Sequence, residues 1–173
     1  ALTQIRFSSS RLPGKILKKF GNKTFLDVFL QRLNRIKNID GVICAIAKEK
    51  ENSEIINIAK KNGCLIYVGS KENVFERIYN AGKKFEADVL LRVTSDCPLI
   101  DPSICESVIT KLSRGNFDYV SNNLEPSFPH GLDCEAFKFK LLEYAKKKLN
   151  PNKNLSLKEH VTTFMKKNDK IKK

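Results

Sequence analysis

Only two histidines, His130 and His160, occur in the 173 residues, too few for a His-rich transition-metal site. No stretch approaches the roughly 18 consecutive apolar residues of a membrane-spanning helix, and no basic-then-apolar leader precedes the first motif. The five cysteines (Cys44, Cys64, Cys97, Cys105 and Cys134) are odd in number, none is spaced CxxC, and several sit inside apolar runs. That spacing excludes a zinc knuckle and argues against a disulfide framework, so buried, reduced thiols in a cytoplasmic protein are expected. No GxxxxGK[ST] can be written, which removes a Walker A loop, and no internal repeat is present.

What remains is an ordinary globular balance, 41% hydrophobic and 29% charged, and a length that predicts one domain spanning 1–173. The net charge of +13 is concentrated late in the chain. Residues 138–173 carry 12 lysines against 3 acids. Lysine without interleaved aromatics, arginine clusters or a helix-turn-helix pattern reads as a solvated face. A nucleic-acid module is the least favoured class, and neither nucleic acid nor membrane is expected as a partner.

Short β-rich runs alternate with amphipathic helices, which predicts an α/β fold of three layers, a mostly parallel sheet with helices on both faces. Strands are expected at 1–5, 42–47, 65–68, 89–93, 119–121 and 132–137. Helices are expected from Phe25 to Ile36 with Thr24 as cap, from Asn52 or Ser53 to Asn62-Gly63, and over 74–85. Further helices follow from Pro102 through Leu112, over 141–148 and over 159–167, with a linker at 151–156. Open sheets of this kind bind ligands outside the carboxyl ends of their strands, where three suspicious loops fall.

The first loop is Arg6-Phe-Ser-Ser-Ser-Arg-Leu-Pro-Gly-Lys15. Its small hydroxyl residues and glycine let backbone N–H groups approach an anion, and Arg6, Arg11 and Lys15 supply cations enough for a triphosphate. The second is Arg92-Val-Thr-Ser-Asp-Cys-Pro-Leu-Ile-Asp101. Asp96, a lone carboxylate after a buried strand, is the candidate magnesium ligand, whereas Asp101 before Pro102 reads as a helix cap. Arg92 in an apolar strand needs an anionic partner or a satisfied network. The third is Phe128-Pro-His-Gly-Leu-Asp-Cys-Glu135, where Asp133 and Glu135 share a face. They would bind metal, hydrogen-bond substrate hydroxyls, or form a polar strand face. His130 reads as a turn residue, and Glu159 and His160 as a helix start.

Taken in order, Ser9-Ser-Arg-Leu-Pro-Gly-Lys15, Asp96-Cys-Pro-Leu-Ile-Asp-Pro102 and Gly131-Leu-Asp133 resemble the cytidylyltransferase family that includes the spore coat polysaccharide biosynthesis protein F group. They are more distantly similar to the enzymes making CMP-octulosonate and CMP-sialic acids. The resemblance implies a nucleotide-diphospho-sugar-transferase-like (glycosyltransferase A-like) fold. It also implies a cytoplasmic enzyme, a homodimer in the manner of its relatives, that activates an acidic sugar or small phosphorylated metabolite with CTP and Mg2+ for surface polysaccharide biosynthesis. Arg6, Ser9, Ser10, Arg11 and Lys15 would hold the CTP phosphates, with Arg11, Lys15 and Asp96 catalytic and Asp96, joined by Asp133, ligating the metal. Gly69, Ser70 and Arg77 would lie near base and ribose, with Arg92 and Thr94 beside the nucleotide. His130, Gly131, Asp133, Glu135, Glu159 and His160 would face the acceptor.

Ser8 and Ser95 stand where that family usually has glycine. A late Val-Asp-Thr segment with a second carboxylate is missing, so the expectation is that the chain is truncated at its carboxyl end, that Asp133 substitutes, or that activity is impaired. The nearest alternatives are a sugar-phosphate nucleotidyltransferase using another nucleotide and a degenerate nucleotide-binding subunit.

Overall fold

A computed structural model describes residues 1–9, 12–126, 128–150 and 155–173. Strand β1 (Leu2–Ile5) lies between β4 (Ile43–Ala47) and β6 (Val89–Arg92), both parallel to it. Beyond β4 the edge is β5 (Leu65–Gly69), and beyond β6 come β8 (Glu135–Lys138) and β7 (Tyr119–Ser121). The order is therefore β5-β4-β1-β6-β8-β7, with β8 alone running opposite to the other five strands. A two-residue pair, β2 (Lys19–Phe20) and β3 (Lys23–Thr24), forms a separate small ribbon that the sequence pattern did not predict.

Because successive strand side chains alternate in face, Cys44 and Ile46 of β4 enter one buried cluster while Ile43 and Ala45 enter the other. The first cluster is capped by α1 (Phe25–Leu33), α2 (Asn52–Lys61) and α4 (Pro102–Arg114). The second is covered by α3 (Val74–Lys84), α5 (Lys140–Lys148), α6 (Leu155–Glu159) and α7 (Thr163–Lys167). Three layers result, as the pattern predicted. Each large apolar side chain so buried contributes about 1.5–3 kcal/mol. All five cysteines are free and buried.

Helix starts follow from local chemistry. Thr24 and Asp27 form a reciprocal capping box on α1, and Asp101 accepts the Ser103 and Ile104 amides at 2.8 and 3.3 Å, capping α4. Asp101 is thus a cap, as expected.

Two expectations need correction. The strand expected over 132–137 begins only at Glu135, because Asn122 donates to the Leu132 carbonyl and accepts the Cys134 amide, so a side chain holds that backbone in place of a ladder. The final helix expected over 159–167 is two short ones, interrupted at His160–Thr162. The linker expected at 151–156 falls mostly outside the described residues, but Ser156 already belongs to α6. Among the described residues no helix is long and apolar enough to cross a membrane.

Candidate active site

Strands β1 and β6 run side by side, but the chain leaves them to opposite halves of the sheet. This is the switch point at which an open α/β sheet leaves a crevice beyond its strand ends. A cavity of about 390 Å³ opens there. Gln4, Ile5 and Arg6 line it from β1 and its exit, Ser9 and Lys15 from the following loop, and Arg92, Thr94, Ser95 and Asp96 from β6 and its exit. Val74 and Arg77 of α3 close one side, and Glu159 and His160 at the end of α6 another.

The loop between β1 and α1 is shaped by its glycine. Gly14 adopts φ +67°, its amide donates to the Phe7 carbonyl at 3.0 Å, and a one-turn 3-10 helix (Lys15–Leu17) follows. Lys15 is thereby turned toward Asp96, with Nζ 3.9 Å from Oδ2. Burial tends to raise the Asp96 carboxyl, but the Thr94 hydroxyl and the Lys15 charge outweigh it, and the group sits below the ordinary carboxylate range. Asp96 is half exposed and ionised at neutral pH. A single hard oxygen donor beside room for phosphate oxygens and water suits a divalent cation such as magnesium. No cluster of three or more His, Cys, Asp or Glu side chains of metal-binding geometry occurs among the described residues.

Arg77 is almost wholly buried at 2% exposure. It donates to the Ser70 carbonyl at 2.5 Å, and its Nε has no partner. Desolvation first, then repulsion from Arg6, lowers its pKa to about 10. A guanidinium whose charge is disfavoured in this way gains from an anion placed beside it. Gly69 makes room for it: a Cβ there would come within 2.6 Å of the Tyr67 ring and 3.1 Å of the Arg77 stem.

Arg92 is fixed from both sides. Its Nε donates to Gln4 Oε1 at 3.1 Å, and an η nitrogen forms an ion pair with Glu135. Glu135 also accepts the Tyr119 hydroxyl at 2.6 Å and the Thr162 hydroxyl at 3.0 Å. A second cavity of about 180 Å³ shares Arg92 and Thr94 with the first and adds Ser121, Asn123, Asp133, Glu135, Thr162 and Lys166.

Of the residues singled out in the sequence, Arg6, Ser9, Lys15, Arg77, Arg92, Thr94, Asp96, Glu159 and His160 meet around the first cavity, and Asp133 and Glu135 around the second. Glu135 is buried and held by Arg92, Tyr119 and Thr162. Gly69 and Ser70 stand behind Arg77 and off both cavity walls. His130 is fully exposed outside both cavities, 3.6 Å from Asp133 Oδ2, and the Gly131 amide reaches the same oxygen at 3.4 Å. Ser10 and Arg11 lie outside the described residues. Of the polar lining residues, sequence reasoning missed Gln4, Ser121, Asn123, Thr162 and Lys166. Gln4 carries a signal, as a polar residue in an apolar strand; the other four carry none.

The sequence profile of the cytidylyltransferase family matches residues 1–173. A cytidylyltransferase from Leptospira borgpetersenii superposes with a TM-score of 0.89 at 32% identity, covering 98% of this chain and 71% of that one. The spore coat polysaccharide biosynthesis protein SpsF of Bacillus subtilis is 30% identical over 126 residues, which is 70% of this chain and 50% of its own length. The chain thus spans half of that relative. A CMP:2-keto-3-deoxy-manno-octonic acid synthetase, solved in complex with CTP, shares the fold at a TM-score of 0.70 and 16% identity, covering 93% of this chain and 83% of that one. With a matching profile along its whole length and a cation-lined cavity at the switch point of its sheet, the chain belongs to the cytidylyltransferase family.

Proposed function

We propose that this protein transfers the cytidylyl group of CTP to an oxygen of an acidic sugar or small phosphorylated metabolite, releasing pyrophosphate. The observation that carries this reading is the pairing of Lys15 with an ionised, half-exposed Asp96 in a cavity otherwise ringed by Arg6, Arg77 and Arg92. Four cations converging on one crevice suit a triphosphate, and little else small carries so much negative charge. In the reaction an acceptor oxygen forms a bond to the α-phosphorus as the bond to the pyrophosphate oxygen breaks. The acceptor proton passes to solvent or to a neighbouring carboxylate. Such transfers depend on positioning and charge neutralisation more than on covalent help.

Lys15 and Arg6 neutralise charge on the leaving pyrophosphate. Asp96 would hold a magnesium ion, whose chemistry is to draw charge from the phosphate oxygens. The second cavity, which shares Arg92 and Thr94 with the first, offers hydroxyl, amide, carboxylate and ammonium groups and is the place for the acceptor. Lys166 there favours an anionic one, in keeping with a relative named for polysaccharide biosynthesis and a fold neighbour that makes a CMP-linked acidic sugar.

Calorimetric titration with CTP, UTP, ATP and GTP in the presence of magnesium tests the reading, followed by a pyrophosphate-release screen of acidic and phosphorylated sugars. Selective CTP binding and pyrophosphate release with one acceptor are expected. Binding without release in any acceptor would mark a nucleotide-binding subunit, and preference for another nucleotide would move the chain to the sugar-phosphate branch.

A further inference from the structure

Two amides near the start of the loop between β1 and α1, those of Phe7 and Ser8, are already taken. Glu49, two residues beyond β4, accepts the Phe7 amide at 2.7 Å and the Ser8 amide at 3.3 Å. Its side chain is 5% exposed, and Lys71 Nζ reaches its carboxylate at 3.1 Å. Burial tends to raise this carboxyl, yet the Ser8 hydroxyl, the two amides and Lys71 more than offset that and keep it below its ordinary range. Lys71 directly follows Ser70, whose carbonyl seats Arg77, and the Lys71 carbonyl also takes an Arg77 η nitrogen at 3.5 Å. One carboxylate therefore ties together the loops leaving β1, β4 and β5. Its negative charge also offsets part of the repulsion between Arg6 and Arg77.

We propose that Glu49 is a positioning residue for the nucleoside triphosphate, setting the distance between the loop carrying Ser9 and Lys15 and the loop that seats Arg77. Glu49 lines no part of the nucleotide cavity, so it acts only through these neighbours. Two amide donors and an ammonium converge on it, and an ionised carboxylate accepts all three, whereas a side-chain amide offers the two lone pairs of one oxygen. The proposal rests on the nucleotide reading above. With Arg77 taken, as in that reading, among the cations for the triphosphate and not beside base and ribose, Glu49 matters for the outer phosphates and little for the nucleoside end.

The test compares CTP and CMP affinities, each with magnesium, in the wild type, Glu49→Gln and Lys71→Met, with thermal melting to confirm folding. Glu49→Gln should weaken CTP about tenfold, as loss of charge-assisted hydrogen bonds does, while leaving CMP within about twofold. Lys71→Met should shift the ratio in the same direction by less, and it keeps the test open if Glu49→Gln does not fold. A CTP-to-CMP ratio unchanged in the variants, whether both affinities fall equally or neither falls, overturns the proposal while the nucleotide reading stands. A wild type that binds no nucleoside triphosphate overturns that reading, and the positioning role with it.

Discussion

Arg92 of β6 and Glu135 of β8 are direct partners in the antiparallel register and are joined by an ion pair. The pair holds the guanidinium at the wall shared by the two cavities, and Glu135 in turn is held by Tyr119 and Thr162. Burial first, then the Glu135 charge, pushes the Tyr119 hydroxyl well above its ordinary range, so it is a permanent donor.

Removing this carboxylate leaves a cation and two hydroxyls without their acceptor. Glu135→Ala should cost about 3 kcal/mol, the usual effect of breaking a buried pair from one side. Urea unfolding of the variant measures it, and a loss under about 1 kcal/mol would show the network to be dispensable.

Asp96→Asn keeps the shape of the site and removes its charge. Pyrophosphate release should fall by about two orders of magnitude or more, with the protein still folded. Because the Asp96 pKa is depressed, the wild-type group stays ionised down through the ordinary carboxylate range, so activity lost between pH 6 and 5 must be traced to another group. Comparable turnover in both proteins would remove Asp96 from the reaction.

Asp27 provides a stability test with a defined pH sign. Burial tends to raise its pKa, but Thr24, the Thr24 amide and Asn62 bring it below the ordinary value of 3.8. A depressed carboxyl contributes stability above the unfolded value, and the contribution fades as pH falls through the folded one. Asp27→Asn should therefore cost about 1 kcal/mol at pH 7 and almost nothing once both states are protonated. Denaturation curves at pH 7 and in the acid range would expose a gap that failed to close.

Gly14→Ala probes the nucleotide loop without touching a charge. A left-handed φ of +67° costs an alanine about 1–2 kcal/mol, and its Cβ would press on the Phe7 ring at 3.1 Å. A fall of a few degrees in melting temperature is expected, together with weaker CTP binding because Lys15 follows directly. A variant with wild-type affinity would separate the turn from the placement of Lys15.

Most of the sheet was legible because its strands are apolar, β-branched and bounded by turn residues, as at Ile43–Ala47 and Tyr119–Ser121. Loops carrying Lys15, Thr94 and Asp96 were legible as a site because polar side chains crowd the ends of those strands. What stayed hidden depends on pairing across the chain. Nothing near Arg92 in sequence names Glu135, 43 residues on, as its partner, and Glu49 lies 42 residues from the Phe7 amide it holds. The break between α6 and α7 was hidden too, since Val161 and Met165 keep an apolar face at helical spacing although the backbone does not.

The register at the centre of the sheet ties the site to the order in which the chain assembles. Leu2 pairs with Arg92 and the Val93 amide donates to the Leu2 carbonyl, contacts that close a loop of some ninety residues. Such distant contacts are entropically expensive and slow to form. A chain that has folded only its β1-α1-β4-α2-β5 portion has the glycine-turned loop but no Asp96 opposite it. Competence to hold a nucleotide between Lys15 and Asp96 would thus arise at a late step, and its appearance during refolding would time the closure of the longest-range seam in the sheet.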